Sequence, residues 1–145
     1  MKAVIQRVLN AELKVDGKLI SKIEKGYVVF LGVGKGDTQK NADYMIKKIS
    51  SLRIFEDENG KINKSITDVE GEILLVSQFT LYANASHGNR PDFLSAESPD
   101  LANELYLYVA DGIKNQGIKV QLGVFGADMK ITQTNDGPFT IILEN

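Results

Sequence analysis

Residues Tyr27-Val28-Val29-Phe30-Leu31-Gly32-Val33, bounded by Gly26 and Gly34, form an unbroken apolar run. A strand with one wet face would alternate apolar and polar residues, so this run suits a strand covered on both faces. Upstream, Lys2 to Val8 is rich in branched apolar residues, and Asp16-Gly17 stands between Lys14-Val15 and Lys18-Leu19-Ile20. That dipeptide is a two-residue hairpin signal, which places two or three antiparallel strands before residue 24. Downstream, Asp37 or Thr38 can cap a helix whose apolar stripe is Ala42, Met45, Ile46, Ile49 and Leu52. Arg53 to Glu56, the turn Asp57-Glu58-Asn59-Gly60, and Lys61-Ile62 read as a short hairpin.

Glu72 to Leu81 reads as a second apolar strand, followed by a polar, irregular segment from Tyr82 to Glu97 whose length points to a functional loop. Ser98-Pro99 supplies a cap with proline at the first helical position, and Leu101, Leu105, Tyr108, Val109 and Ile113 form one face of a second helix. Three short strands follow, at Lys119 to Leu122, Asp128 to Thr134 and Phe139 to Leu143, with Asn135-Asp136-Gly137-Pro138 as the turn between the last two. The expected fold is α+β: one domain over residues 1–145, with a mainly antiparallel, curved or barrel-like sheet and two packed helices.

Composition narrows the chemistry. The 145 residues include no cysteine and one histidine, which removes thiolate nucleophiles, disulfides and zinc sites built on Cys and His. No metal or cofactor is expected. A serine-histidine-acid triad would hang on His87, which lies in the polar stretch Ala85-Ser86-His87-Gly88-Asn89 and reads as a solvated loop residue. No apolar run is long enough to span a bilayer, and the N-terminus lacks a signal-peptide core, so a cytoplasmic protein is expected. A net charge of -2 offers no global attraction to a polyanion. Contact with nucleic acid must then be local, and Arg7, Lys35, Lys47, Lys48, Arg53 and Arg90 are the basic residues available for it.

Two segments carry chemistry. Ser77-Gln78-Phe79-Thr80-Leu81 continues from Ile73-Leu74-Leu75-Val76, so hydroxyls and an amide appear where a buried strand emerges. Polar groups there either satisfy neighbouring backbone or serve function. Asp136-Gly137-Pro138-Phe139-Thr140 is the other, and Gly-Pro alone marks only a turn.

Taken together, these segments resemble the D-aminoacyl-tRNA deacylase family. Met1-Lys2-Ala3-Val4-Ile5-Gln6-Arg7-Val8 is similar to that family's opening strand, and Ser77-Gln78-Phe79-Thr80-Leu81 matches its first signature unchanged. Asn135-Asp136-Gly137-Pro138-Phe139-Thr140 matches the second, with Phe139 where many members have valine. Gly88-Asn89-Arg90-Pro91-Asp92-Phe93 is similar to a further family segment, with Asp92 where a smaller polar residue is common.

The resemblance implies hydrolysis of the ester of D-aminoacyl-tRNA, and of glycyl-tRNA mischarged on tRNA-Ala, with L-aminoacyl groups rejected. It implies a cytoplasmic homodimer, with active sites near the subunit boundary and no membrane association, acting in translation proofreading on the 3′-terminal adenosine of an aminoacylated tRNA. Ser77, Gln78, Phe79 and Thr80 become positioning and electrostatic residues of catalysis. Gly137 and a cis-Pro138 from one subunit would enter the partner's pocket and judge handedness with main-chain oxygens. Met129 and Phe139 would contact substrate, Met129 being a pocket-wall or core residue, and Arg7 would brace the Gly137-Pro138 turn. Three alternatives remain: a non-catalytic protein that holds an RNA 3′ end, a sister branch that edits L-alanine in a wider pocket, and a purely structural dimer in which both segments are folding elements. The intact Ser77-Gln78-Phe79 favours the D-selective branch over the second.

Overall fold

The computed structural model describes residues 1–145. Strand β1 (Lys2–Val15) is the spine of the sheet. Along one edge it pairs with β3 (Gly26–Gly32) over Lys2 to Val8, then with β2 (Lys18–Ile23) over Ala11 to Val15. Asp16 and Gly17 make the β1–β2 turn with φ of 49° and 76°, the left-handed pair that a tight hairpin requires. Helix α1 (Gln39–Ser51) follows, capped by Thr38, whose backbone N–H donates to Asn41 Oδ1 at 3.0 Å. Its stripe of Ala42, Met45, Ile46 and Ile49 is buried as the spacing requires. Strands β4 (Arg53–Glu56) and β5 (Ile62–Ser65) form the expected hairpin. The Asp57 carboxylate accepts from the backbone N–H of Asn59 at 2.9 Å and of Lys61 at 3.0 Å, and these bonds hold its pKa below the usual carboxylate value.

Beyond the hairpin the sheet departs from the antiparallel expectation. Strand β6 (Glu72–Ser77) pairs parallel with β3, and β7 (Lys119–Leu122) pairs parallel with β6, so the sheet is mixed. Each parallel neighbour is reached by a crossover that carries a helix: α1 between β3 and β6, and α2 (Pro99–Lys114) between β6 and β7. A tight turn cannot connect parallel neighbours, so the helices dictate the direction of the strands they join. The last strand, β8 (Met129–Glu144), pairs only with β1 and runs antiparallel along its whole length.

The central strands are buried on both faces because two cores flank them. Tyr27, Val29, Leu31, Ile73 and Leu75 pack into the larger core with Met45, Ile49, Leu105 and Val109 of the helices. Val28, Leu74 and Val76 point the other way and meet Val8, Ala11, Leu13 and Ile23 inside the curve of the sheet. The curl nearly closes where the Ser21 hydroxyl of β2 donates to the Leu122 carbonyl of β7 at 2.6 Å.

Three further expectations are corrected. On α2 the buried face is Leu105, Tyr106, Val109, Ala110 and Ile113, while Leu101 and Tyr108 are exposed. Tyr108 lies one position off the stripe and its hydroxyl donates to Asp43 on α1 at 2.9 Å instead. Strand β6 ends at Ser77 and does not continue to Leu81, because its partner β3 ends at Gly32; the chain turns into a short 3₁₀ segment, Phe79–Tyr82. Finally, Asn135 to Pro138 is no turn between two strands but a bulge within β8, described below. Neither helix is long and apolar enough to cross a membrane.

Candidate active site

A cavity of about 310 Å³ opens where β6 ends. Ser77, Gln78 and Phe79 form one wall, and Ala102, Tyr106 and Phe125 face them across largely apolar surface that Met129 completes. Tyr106 is fixed by a hydroxyl bond to the Leu75 carbonyl at 2.7 Å, with its ring tilted on Phe125 at 6.1 Å. Burial pushes the Tyr106 phenol well above its ordinary pKa, so at neutral pH it is a donor and not a base.

The chain at the mouth of the cavity is turned by its own hydrogen bonds. The Gln78 N–H still donates to Leu31 of β3 at 2.8 Å, after which Leu81 N–H returns to the Gln78 carbonyl at 3.3 Å and Ala83 N–H to that of Thr80 at 3.0 Å. The N–H groups of Phe79 and Thr80 begin this turn and therefore have no acceptor within it. Phe79 is more than half exposed, and its ring meets the edge of Phe93 at 5.0 Å. The Gln78 amide donates to the Thr80 hydroxyl, whose other surroundings are open. Thr80 thus has an amide for a neighbour and no base. His87 is exposed in the loop beyond Asn84.

The second motif is organised by Arg7. In the β1–β8 ladder Gln6 pairs with Thr140 and Val8 with Asn135, so Asp136, Gly137, Pro138 and Phe139 all stand opposite one residue of β1. The surplus residues are extruded as a bulge. Arg7, only 6% exposed, holds it: the Nε–H donates to the Asp136 carbonyl at 3.2 Å and lies 3.1 Å from the Asp136 carboxylate. The guanidinium also donates to the buried Ile54 carbonyl at 2.6 Å and sits over the Phe139 ring at 5.0 Å. Gly137 has φ of 130°, the Gly137-Pro138 peptide is cis, and both residues are exposed.

The structure therefore gathers Ser77, Gln78, Phe79 and Met129 around the cavity and puts Thr80 on the adjoining turn. Gly137, Pro138 and Phe139 lie elsewhere, on the bulge, and do not line that cavity. Among the basic residues considered for nucleic acid, Arg7 is buried and engaged, and Arg53 is tied to Asn63 across its hairpin. Lys35, Lys47, Lys48 and Arg90 are exposed. Sequence reasoning missed Ala102, Tyr106 and Phe125 on the cavity and Asp136 as the partner of Arg7. Tyr106 and Ala102 carried a usable signal: shifting the α2 stripe by one residue puts both on its buried side.

The family model described as D-Tyr-tRNA(Tyr) deacylase matches residues 4–144. Among curated proteins, a D-aminoacyl-tRNA deacylase of Syntrophomonas wolfei subsp. wolfei is 52% identical over 100% of this chain and 97% of its own length. One of the same name from Geotalea daltonii is 56% identical over 99% of this chain and 96% of its own. A solved structure named c-Myc DNA Unwinding Element Binding Protein superposes with a TM-score of 0.94 at 44% identity, covering 100% of this chain and 99% of that one. On the matched residues and these identities, the chain belongs to the D-Tyr-tRNA(Tyr) deacylase family.

Proposed function

We propose that this protein hydrolyses the ester linking a D-amino acid to the 3′-terminal adenosine of its tRNA. The observation that carries this reading is the cavity walled by Ser77, Gln78 and Phe79 at the end of a rigid buried strand, in a chain of this family. An aminoacyl ester needs a polarised carbonyl, an attacking water, and stabilisation of the oxyanion that develops. The N–H groups of Phe79 and Thr80 supply that stabilisation, on the order of 3 kcal/mol for one donor. With no histidine or carboxylate bonded to Thr80, a threonine nucleophile would lack the base it needs. The water is instead oriented with help from the 2′-hydroxyl of the terminal adenosine, so the substrate completes the catalyst.

Handedness is judged by the main-chain oxygens of Gly137 and Pro138. They stand off the cavity of their own copy, and the reading therefore requires a homodimer in which each copy presents its bulge to its partner's cavity. Two features support this: β8 leaves one long edge unpaired, and Ile142 on that strand is 71% exposed. Arg7 then acts as the brace for the bulge, and Phe139 and Met129 as the apolar contacts on either side. A filter that works by exclusion accepts many D-side chains and has no means of refusing glycine, so glycyl-tRNA mischarged on tRNA-Ala is a second substrate. The setting is cytoplasmic proofreading of aminoacyl-tRNA, and RNA contact is local because the net charge is -2.

Thr80→Ala tests the site. It removes the hydroxyl that receives the Gln78 amide and frees the turn next to the reacting carbonyl. Turnover of D-tyrosyl-tRNA should fall by about tenfold or more, with affinity for uncharged tRNA changed by less than about twofold. An unchanged turnover would remove this turn from the chemistry.

A further inference from the structure

The turn that carries Phe79 and Thr80 ends on Tyr82, and we propose that Tyr82, seated on Gly34 and bonded to Asp37, is a positioning residue that sets the aim of the turn toward the ester. This rests on the reading that the turn polarises the scissile carbonyl. Outside its own few hydrogen bonds the turn belongs to no ladder, so its direction depends on how its side chains are anchored.

The anchor is close-fitting. A Cβ added to Gly34 would lie 2.5 Å from Cε1 and Cζ of the Tyr82 ring and 2.6 Å from its hydroxyl oxygen. One added to Gly32 would lie 2.9 Å from the Gln78 carbonyl oxygen and 3.3 Å from the ring Cδ2. The missing side chains at the end of β3 therefore form the seat on which ring and turn both rest. The Tyr82 hydroxyl donates to Asp37 Oδ2 at 3.3 Å, and that same oxygen accepts the Gly34 N–H at 2.7 Å. The other Asp37 oxygen holds the Met1 ammonium at 2.7 Å, which fixes the carboxylate in place. Lys2 Nζ lies 5.1 Å from the ring centroid. Burial, reinforced by the Asp37 charge, pushes the phenol well above its ordinary pKa, so it remains a donor wherever the enzyme works.

The ring is thus clamped between the end of β3 and Asp37, three residues from Phe79. A small displacement of that ring re-aims the N–H groups of Phe79 and Thr80. Misplacement of a catalytic group by about 1 Å is enough for a large loss of rate.

Gly34→Ala is the direct test, because Gly34 is not among the positive-φ glycines and the three atoms nearest to the added Cβ all belong to Tyr82. Measured on D-tyrosyl-tRNA, kcat should fall by about tenfold while KM and the affinity for uncharged tRNA stay within about twofold. Tyr82→Phe, which keeps the ring and the fold, should lower kcat severalfold. In a Tyr82→Ala background the added methyl at position 34 has no ring to displace, so Gly34→Ala should then change kcat little. Full kcat in both Gly34→Ala and Tyr82→Phe would overturn the proposal, as would losses confined to KM, or effects of Gly34→Ala that are the same with and without the ring. Failure of the parent reading is distinct: the unmodified protein would not deacylate D-tyrosyl-tRNA, or Thr80→Ala would leave turnover unchanged.

Discussion

Alanine at position 137 is expected to slow deacylation of D-tyrosyl-tRNA by about 100-fold while the protein remains folded. Gly137 has φ of 130°, a region that L-residues with a side chain rarely enter, and a Cβ there would stand 2.8 Å from the Phe139 N. The substitution costs about 2 kcal/mol of local strain, and the bulge can relieve it only by moving. Because Gly137 and Pro138 are exposed, that movement disturbs the outer surface of the bulge more than it disturbs either core. Copy mixing makes the test sharper. In the proposed homodimer, subunit exchange between Gly137→Ala and Thr80→Ala proteins would make half of the dimers hybrids, and in each hybrid one site would combine an intact cavity with an intact bulge. Activity should then recover to about a quarter of the original. No recovery above the two parents would mean that cavity and bulge act within one copy or not together at all.

Arg7→Ala is expected to have the largest effect on stability. Arg7 is 6% exposed and its guanidinium serves two elements at once, the Ile54 carbonyl at the β4–β5 hairpin and Asp136 in the bulge. Removing it leaves the Ile54 carbonyl buried without its donor and releases the Asp136 carbonyl, losses of about 3 kcal/mol together. The carboxylate arm adds little, because the Asp136 side chain is 34% exposed and water screens the pair. For a chain of this size the thermal midpoint should drop by about 10 °C. Arg7→Lys should recover only part of this, since an ammonium cannot donate to both carbonyls from one planar fork. A midpoint within about 2 °C of the original for Arg7→Ala would show that the brace is not structural.

Local signals carried much of this fold. Asp16-Gly17 marked its hairpin, Thr38 its helix start, and Ser98-Pro99 the start of α2, because each rule depends on residues a few positions apart. Direction within the sheet was harder. The unbroken runs of β3 and β6 announced burial on both faces, yet parallel pairing follows from the helical crossovers between them, and only the three-dimensional path makes that plain. The bulge of β8 was read as a turn for a related reason: Asn135-Asp136-Gly137-Pro138 has turn chemistry, and what keeps the strand continuous is β1, through Arg7, which stands 129 positions from Asp136. In the site, the polar end of β6 was visible where hydroxyls and an amide follow an apolar run. Phe125 was not, and the shifted α2 stripe that marks Ala102 and Tyr106 as buried does not mark them as cavity wall, because small and aromatic residues on a buried face look the same whether they fill a core or line a cavity.

The most direct measurement is initial deacylation of D-tyrosyl-tRNA and L-tyrosyl-tRNA by the purified protein, side by side at equal concentration. Rapid release from the D-form with the L-form cleaved no faster than in buffer is the expected result. Equal rates on both would contradict discrimination by the main chain of the bulge, and cleavage of neither would leave a protein that holds an RNA end without hydrolysing it.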